Sequence, residues 1–321
     1  MIPKEPEVPT ENPLQRFFHH QDTLILDGGL ATALESRGCD LNDPLWSAKV
    51  LIEAPDLIRQ VHLDFLQAGA DCIVTSSYQA SLPGFQNQGL DEAAGAELLA
   101  LSVQLAVAAR DEFWEEPDNR RGRQRPLVAA SIGPYAAFLA DGSEYTGRYH
   151  ATDQELYDFH LGRWRILAGS EADILACETI PVGRETDVLL RLLKDTPGSW
   201  AWFSFCCRDG LHLSDGTRLV DAVAACENEP RVAAVGINCT APEFIPSLVP
   251  EARAVTKKPV LVYPNSGERY EAVAKTWPSS PSSLGWEEAS GDWVPAGASG
   301  VGGCFRLGPD RIADIRRWLL G

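Results

Sequence analysis

The 321-residue chain carries 45 acidic against 28 basic side chains, a net charge of −17, and 45% of its residues are hydrophobic. An acidic surface of that size repels phosphate backbones and anionic lipid, which excludes nucleic acid and membrane as expected partners. The apolar content can fill a substantial core, and the length allows one large domain or two ordinary ones.

The opening residues, MIPKEPEVPTEN, are rich in Pro and Glu and hold no apolar run, so residues 1–15 read as a flexible tail rather than a signal peptide. No later stretch reads as long and apolar enough to span a bilayer, and a soluble, cytoplasmic protein is expected. The eight cysteines, at 39, 72, 177, 206, 207, 226, 239 and 304, lack the compact spacing of a disulfide framework. Several sit in apolar runs, which fits reduced thiols in a reducing compartment.

From residue 16 onward short apolar runs alternate with longer segments of helical spacing. TLILDGG comes first, then the helical LIEAPDLIRQVHLDFLQAG. DCIVTSSY precedes DEAAGAELLALSVQLAVAARDEFW, and PLVAASIG precedes TDQELYDFHLGRWRILAGS. DILACET, WFSFCC and AAVGINC follow, each trailed by a helical pattern, then PVLVYPN. TWPSSPSSLGWEEASGDWVPAGAS is irregular and reads as a loop with a short helix on a rim. SGVGGC is the eighth strand, and GPDRIADIRRWLL closes the chain with Pro309 near a helix start, where its missing N–H costs nothing.

Strands alternating with helices imply parallel strands joined by crossovers. Eight such units predict a single-domain α/β fold over 16–321, a (β/α)8 TIM barrel. No GxGxxG follows the first strand, which counts against a dinucleotide-binding sheet.

In such a barrel the functional groups lie at the C-terminal ends of the strands. There the sequence offers Asp27, Gly28 and Gly29 after the first strand, Thr75, Ser76 and Tyr78 after the second, and Tyr135 after the third. Glu178 follows the fourth, Cys206 and Cys207 the fifth, Asn238 and Cys239 the sixth, and Cys304 the eighth. Strands six and eight flank strand seven, so Cys239 and Cys304 are expected to face each other. They are either two ligands of a soft metal such as zinc or two inert buried thiols. Asp27 and Glu178, both following apolar runs, either hold loops or receive a substrate ammonium. In the second case the N–H groups of Gly28 and Gly29 are left for its carboxylate.

LDGGLATALESRGCDLNDPLWSAKVL, TSSYQAS, SIGPYAAFLADGSEYTGRY, CETIP, SFCCRDGLHLSDGTRL, GINCTAPE and VYPNSGERY together resemble the homocysteine S-methyltransferase family. The likeness covers nearly the whole chain after the tail. It is closest to the branch using S-methylmethionine or S-adenosylmethionine. It implies transfer of a methyl group from a sulfonium donor to the zinc-activated thiol of L-homocysteine, giving methionine. It also implies zinc on Cys239 and Cys304, and a third thiolate where this chain has Phe305, so a weakened zinc site is expected. Asp27 and Glu178 then hold the amino group and the Gly28–Gly29 backbone the carboxylate. Thr75, Ser76 and Asn238 join the substrate site, and Trp46, Tyr78 and Tyr135 line the donor pocket, where aromatic faces attract a sulfonium.

Three consequences of Phe305 stay open in the sequence. Zinc binds with Cys239, Cys304 and a substitute for the missing ligand, either water or a side chain of a neighbouring strand such as Cys206 or Cys207. Or the enzyme works weakly without zinc. Or the chain is a catalytically impaired homologue that binds an amino acid or sulfonium as a sensor or partner protein. A metal-free hydrolase or lyase using Asp27 and Glu178 as acid and base gives the two cysteines no role.

Overall fold

The computed structural model describes residues 11–41, 47–267 and 286–321. Eight parallel strands run through it: β1 (Leu24–Ile25), β2 (Cys72–Val74), β3 (Leu127–Ile132), β4 (Ile174–Ile180), β5 (Ala201–Phe205), β6 (Val232–Asn238), β7 (Val260–Tyr263) and β8 (Gly300–Val301). They pair in the order β1-β8-β7-β6-β5-β4-β3-β2. The sheet closes between β1 and β2, where Asp27 N–H donates to Cys72 O at 3.0 Å and Asp71 N–H to Ile25 O at 2.7 Å. Helices alternate with the strands, and the fold is the expected (β/α)8 barrel.

Each strand divides its side chains between two apolar layers because successive residues point to opposite faces. In β5, Trp202 faces the barrel interior with Leu24, Leu26, Leu127, Ile174 and Leu261, while Phe203 and Phe205 pack outward under the helices. The same parity sends Ile174 and Ala176 inward along β4 and carries Glu178 into the barrel mouth. On β7 it turns Leu261 and Tyr263 inward.

Residues 11–15 do not belong to a loose tail. Asn12 Nδ2 donates to Ala233 O at 2.9 Å, and its Oδ1 accepts Leu14 N–H at 3.0 Å. Leu14 and Phe17, at the start of helix Gln15–Gln21, are fully buried in the interior layer. They close the N-terminal end of the barrel, and apolar burial is what draws this segment in. Residues 1–10 lie outside the described residues.

The expectation that no stretch has the length and composition of a membrane span also needs correcting. Helix Glu92–Glu115 is 24 residues long and apolar enough to cross a bilayer by those criteria. In the fold it packs against helices Pro55–Ala68 and Asp153–Ala168, burying Leu99, Val103, Ala106, Ala109 and Phe113. Residues 276–285 of the irregular stretch before β8 lie outside the described residues. Its end is helix Trp286–Ala296, whose Trp293 is buried beside the closing helix Pro309–Leu320.

Candidate active site

The described residues enclose a cavity of about 120 Å³ at the C-terminal ends of the strands. Its lining includes Asp27, Thr75, Ser76, Tyr78, Glu178, Asn238, Cys239, Cys304 and Phe305, drawn from β1, β2, β4, β6 and β8. A wider depression at the other end of the barrel lies between helices Gln15–Gln21 and Asp153–Ala168, away from every strand tip.

Asp27 and Glu178 are the electrostatic centre of the cavity. Glu178 is 7% exposed and accepts from Ser131 Oγ at 2.5 Å. Burial raises its pKa to about 7, against the hydrogen bonds of Ser131 and Tyr263. Burial likewise pushes Asp27 well above the ordinary carboxylate range, Val74 N–H at 2.8 Å opposes the shift, and the neighbouring Glu178 adds to it. Desolvation disfavours the charged form of both carboxyls, and a cation that arrives to replace the lost water favours it.

The glycines after β1 also meet a steric demand that the sequence does not show. A Cβ on Gly28 would meet Leu307 O at 2.2 Å, and one on Gly29 would meet Cys304 O at 2.6 Å. Glycine is required because the chain leaving β8 crosses directly over this turn. Gly29 N–H donates to Leu307 O at 2.8 Å, so it is spent on that crossing. The N–H of Gly28 has no hydrogen-bond partner among the described residues.

Three further sequence candidates separate by how their polar atoms are used. Ser77 Oγ donates to Ser131 O at 2.8 Å, so Thr75 supplies the proton of the Thr75–Ser77 contact at 2.7 Å. Thr75 also accepts Ser131 N–H at 3.0 Å, which leaves its hydroxyl proton unavailable to a ligand. Asn238 Oδ1 accepts Thr179 N–H at 2.8 Å and Ser204 Oγ–H at 2.9 Å, and its Nδ2 donates to Thr179 Oγ1 at 2.7 Å. This side chain lines the cavity as a brace for the end of β4, where Thr179 has φ of +61°. Ser76, by contrast, is 1% exposed and its hydroxyl has no partner among the described residues.

The aromatic candidates divide in the same way. Tyr78 lines the cavity, and its burial pushes its hydroxyl well above the usual pKa. Tyr135 lies outside the lining and packs with Phe138, Tyr149 and Phe159, its ring centroid 4.9 Å from that of Phe159. Trp46 lies outside the described residues. In the sequence Tyr263 stands at the tip of the seventh strand with no role assigned, and nothing there points to Glu144 or Tyr145, which enter the cavity from the loop between β3 and β4. Parity on β7 was the available signal for Tyr263; Glu144 and Tyr145 sit on an irregular segment with no such signal.

Cys239 and Cys304 are brought together across β7 and are paired as a disulfide, with Cα atoms 5.7 Å apart. The tips of β6 and β8, on either side of β7, place within bonding reach the two cysteines that the sequence offers as metal ligands or inert thiols. Phe305 follows Cys304, 9% exposed and lining the cavity. Neither neighbouring cysteine takes up the missing position. Cys206 donates its thiol to Cys239 O at 3.4 Å, and burial pushes its pKa up to about 12. Cys207 packs outward, its N–H on Thr240 Oγ1 at 2.9 Å. Among the described residues no three His, Cys, Asp or Glu side chains converge to hold a metal. A benzyl ring has no lone pair to give, so a three-thiolate zinc centre does not fit these residues.

The homocysteine S-methyltransferase family model matches residues 24–319. The chain belongs to the homocysteine S-methyltransferase family. It is 48% identical over 307 residues to the homocysteine S-methyltransferase YbgG of Bacillus subtilis, covering 96% of this chain and 98% of that one. Its fold matches the homocysteine methyltransferase MmuM of Escherichia coli in a metallated form, with a TM-score of 0.85 and 45% identity, covering 95% of this chain and 99% of that one. The oxidized form of the same enzyme matches at 0.86, again 45% identical, over 96% and 99%. Members of this family are methyltransferases, and the chain is an enzyme of that class.

Proposed function

We propose that this homocysteine S-methyltransferase family member transfers a methyl group from a sulfonium donor, S-methylmethionine or S-adenosylmethionine, to the thiol of L-homocysteine. The observation that carries the reading is the buried Asp27–Glu178 pair beside Cys239 and Cys304 at one barrel mouth. The homocysteine ammonium sits against those two carboxylates, and its carboxylate takes the Gly28 N–H and the Ser76 hydroxyl. Its sulfur is then directed towards Cys239, Cys304 and Phe305.

The reaction is a displacement at carbon. The acceptor sulfur forms a bond to the methyl carbon, the donor C–S bond breaks, and the electron pair leaves with the donor as a neutral thioether. The acceptor proton goes to solvent. Zinc, where bound, supplies thiol deprotonation, and Phe305 weakens that supply. The thiolate then depends on the thiol's own pKa of about 8.5, so only a few per cent is reactive near neutral pH. Turnover by the unchanged protein is expected to rise about tenfold per pH unit up to that value.

The test is zinc content of the reduced protein, read together with methionine formation from homocysteine and either donor. We expect well below one zinc per chain, and we expect Phe305→Cys to raise zinc content and turnover together while flattening the pH profile. Stoichiometric zinc in the unchanged chain overturns the weakened site. Phe305 also favours a second reading, an impaired homologue that binds an amino acid or sulfonium without turnover. Calorimetric binding with no product from either donor at any pH selects that reading.

A further inference from the structure

Among the described residues the cavity lining contains three carboxylates, Asp27, Glu144 and Glu178, and no Lys, Arg or His. A single homocysteine ammonium accounts for the first and third. Glu144 stands apart, in the short helix Ser143–Thr146 of the loop between β3 and β4. Its position is fixed from both sides. Ser214 Oγ donates to Glu144 O at 3.1 Å, and a Cβ on Gly147 would meet Asp215 N at 2.4 Å, so the loop is pressed onto the chain after β5. Oε2 of Glu144 is buried with no hydrogen-bond partner among the described residues. A buried carboxylate oxygen without a partner is costly, and one that lines a cavity is satisfied by what enters it. Tyr78 and Tyr145 line the same cavity, aromatic surface suited to a cation.

We infer that Glu144 receives the α-ammonium that both proposed methyl donors, S-methylmethionine and S-adenosylmethionine, carry. This rests on the methyl-transfer reading above and assigns its second substrate. A sulfonium and an ammonium are both cations, and the chemistry separates them. The sulfonium loses its charge as the methyl group leaves, so a carboxylate against it stabilises the ground state more than the transition state and slows transfer. The ammonium keeps its charge throughout, and a carboxylate there contributes binding without that cost. Burial holds the Glu144 pKa at about 7, with Asp141 adding to the shift, and an ammonium on arrival draws the carboxyl into its ionised form.

The experiment is calorimetric titration in saturating L-2-aminobutyrate, which carries the ammonium and carboxylate of homocysteine but no thiol to methylate, with S-methylmethionine and with dimethylsulfoniobutanoate, the same sulfonium without its amino group. The unchanged protein should prefer S-methylmethionine by about tenfold or more, the scale of one buried charge-assisted contact. Glu144→Gln should abolish that preference by weakening S-methylmethionine alone. Glu144→Asp should restore part of it, and homocysteine affinity should be unchanged in both variants. Thermal melting checks that each variant is folded. Equal weakening of the two sulfonium compounds, no weakening of either, or a loss confined to homocysteine overturns the assignment. Failure of the unchanged protein to bind either homocysteine or S-methylmethionine removes the functional reading along with it.

Discussion

Glu178 shows how one residue sets function against stability. Its folded pKa of about 7 lies above the ordinary 4.5, so between those values the folded protein holds a proton that the unfolded chain has released. Stability therefore falls as pH rises through that window, by roughly 3 kcal/mol at most for a shift of this size. Glu178→Gln keeps an acceptor for Ser131 and removes the titration. The variant should be more stable than the parent at about pH 8, by roughly 1–3 kcal/mol, and the gain should vanish below about pH 4.5. It should also bind L-homocysteine at least about tenfold more weakly, since the ammonium loses a buried charge partner. Urea melts at the two pH values and calorimetry check both halves; a variant less stable at high pH contradicts the burial argument. The position of Glu178 was legible in the sequence because a carboxylate directly after an apolar strand is conspicuous. The steric demand on Gly28 and Gly29 was not, because it comes from Leu307 and Cys304, nearly 280 residues later. Thr75 and Asn238 were found as residues that line the cavity, but only coordinates reveal the hydrogen bonds they make within the strand ends.

At the scale of elements, the end of β4 depends on β6. Thr179 is β-branched and held at φ of +61°, a conformation that side chains of its kind rarely adopt. Asn238 compensates by accepting its N–H and donating to its hydroxyl. Asn238→Ala leaves that buried N–H unsatisfied and should cost about 2–3 kcal/mol in a denaturant melt. Glu178 is the adjacent residue, so homocysteine affinity should fall as well; full affinity in a destabilised Asn238→Ala protein would show that the brace serves the fold alone. A second support lies under the loop that begins at Gly133. The Thr152–Glu155 capping box starts helix Asp153–Ala168, which delivers His160 to Glu185 at 2.7 Å, and Glu185 in turn accepts Tyr135 N–H at 2.6 Å. This network explains why Tyr135 stays with its aromatic neighbours rather than reaching the cavity. The strands were readable from apolar runs bounded by turn residues. The loop carrying Glu144 was not, because its course is set by contacts with the chain after β5 and not by any local periodicity.

Across the whole molecule, stability and chemistry occupy opposite ends of the barrel. The N-terminal end is filled by Leu14 and Phe17, which pack into the same interior layer as Leu24, Leu26, Trp202 and Leu261. Above them stand Tyr263 and Trp202, with Trp202 Nε1 donating to Tyr263 Oη at 3.0 Å, and the carboxylates follow at the mouth. The interior is thus a continuous column, apolar at its base and polar at its top. Phe17→Ala removes a fully buried ring from the base and should cost about 3–5 kcal/mol, the range for large-to-small changes in a packed core. In a thermal melt that corresponds to a drop on the order of 5–10 °C. The cavity at the other end should be untouched, so L-homocysteine affinity measured well below the melting range should stay within about twofold of the parent, as expected for distant sites. A large loss of affinity in the folded Phe17→Ala protein would mean that packing at the base is coupled through Trp202 and Tyr263 to Glu178. In that case the column would transmit strain rather than separate the two ends.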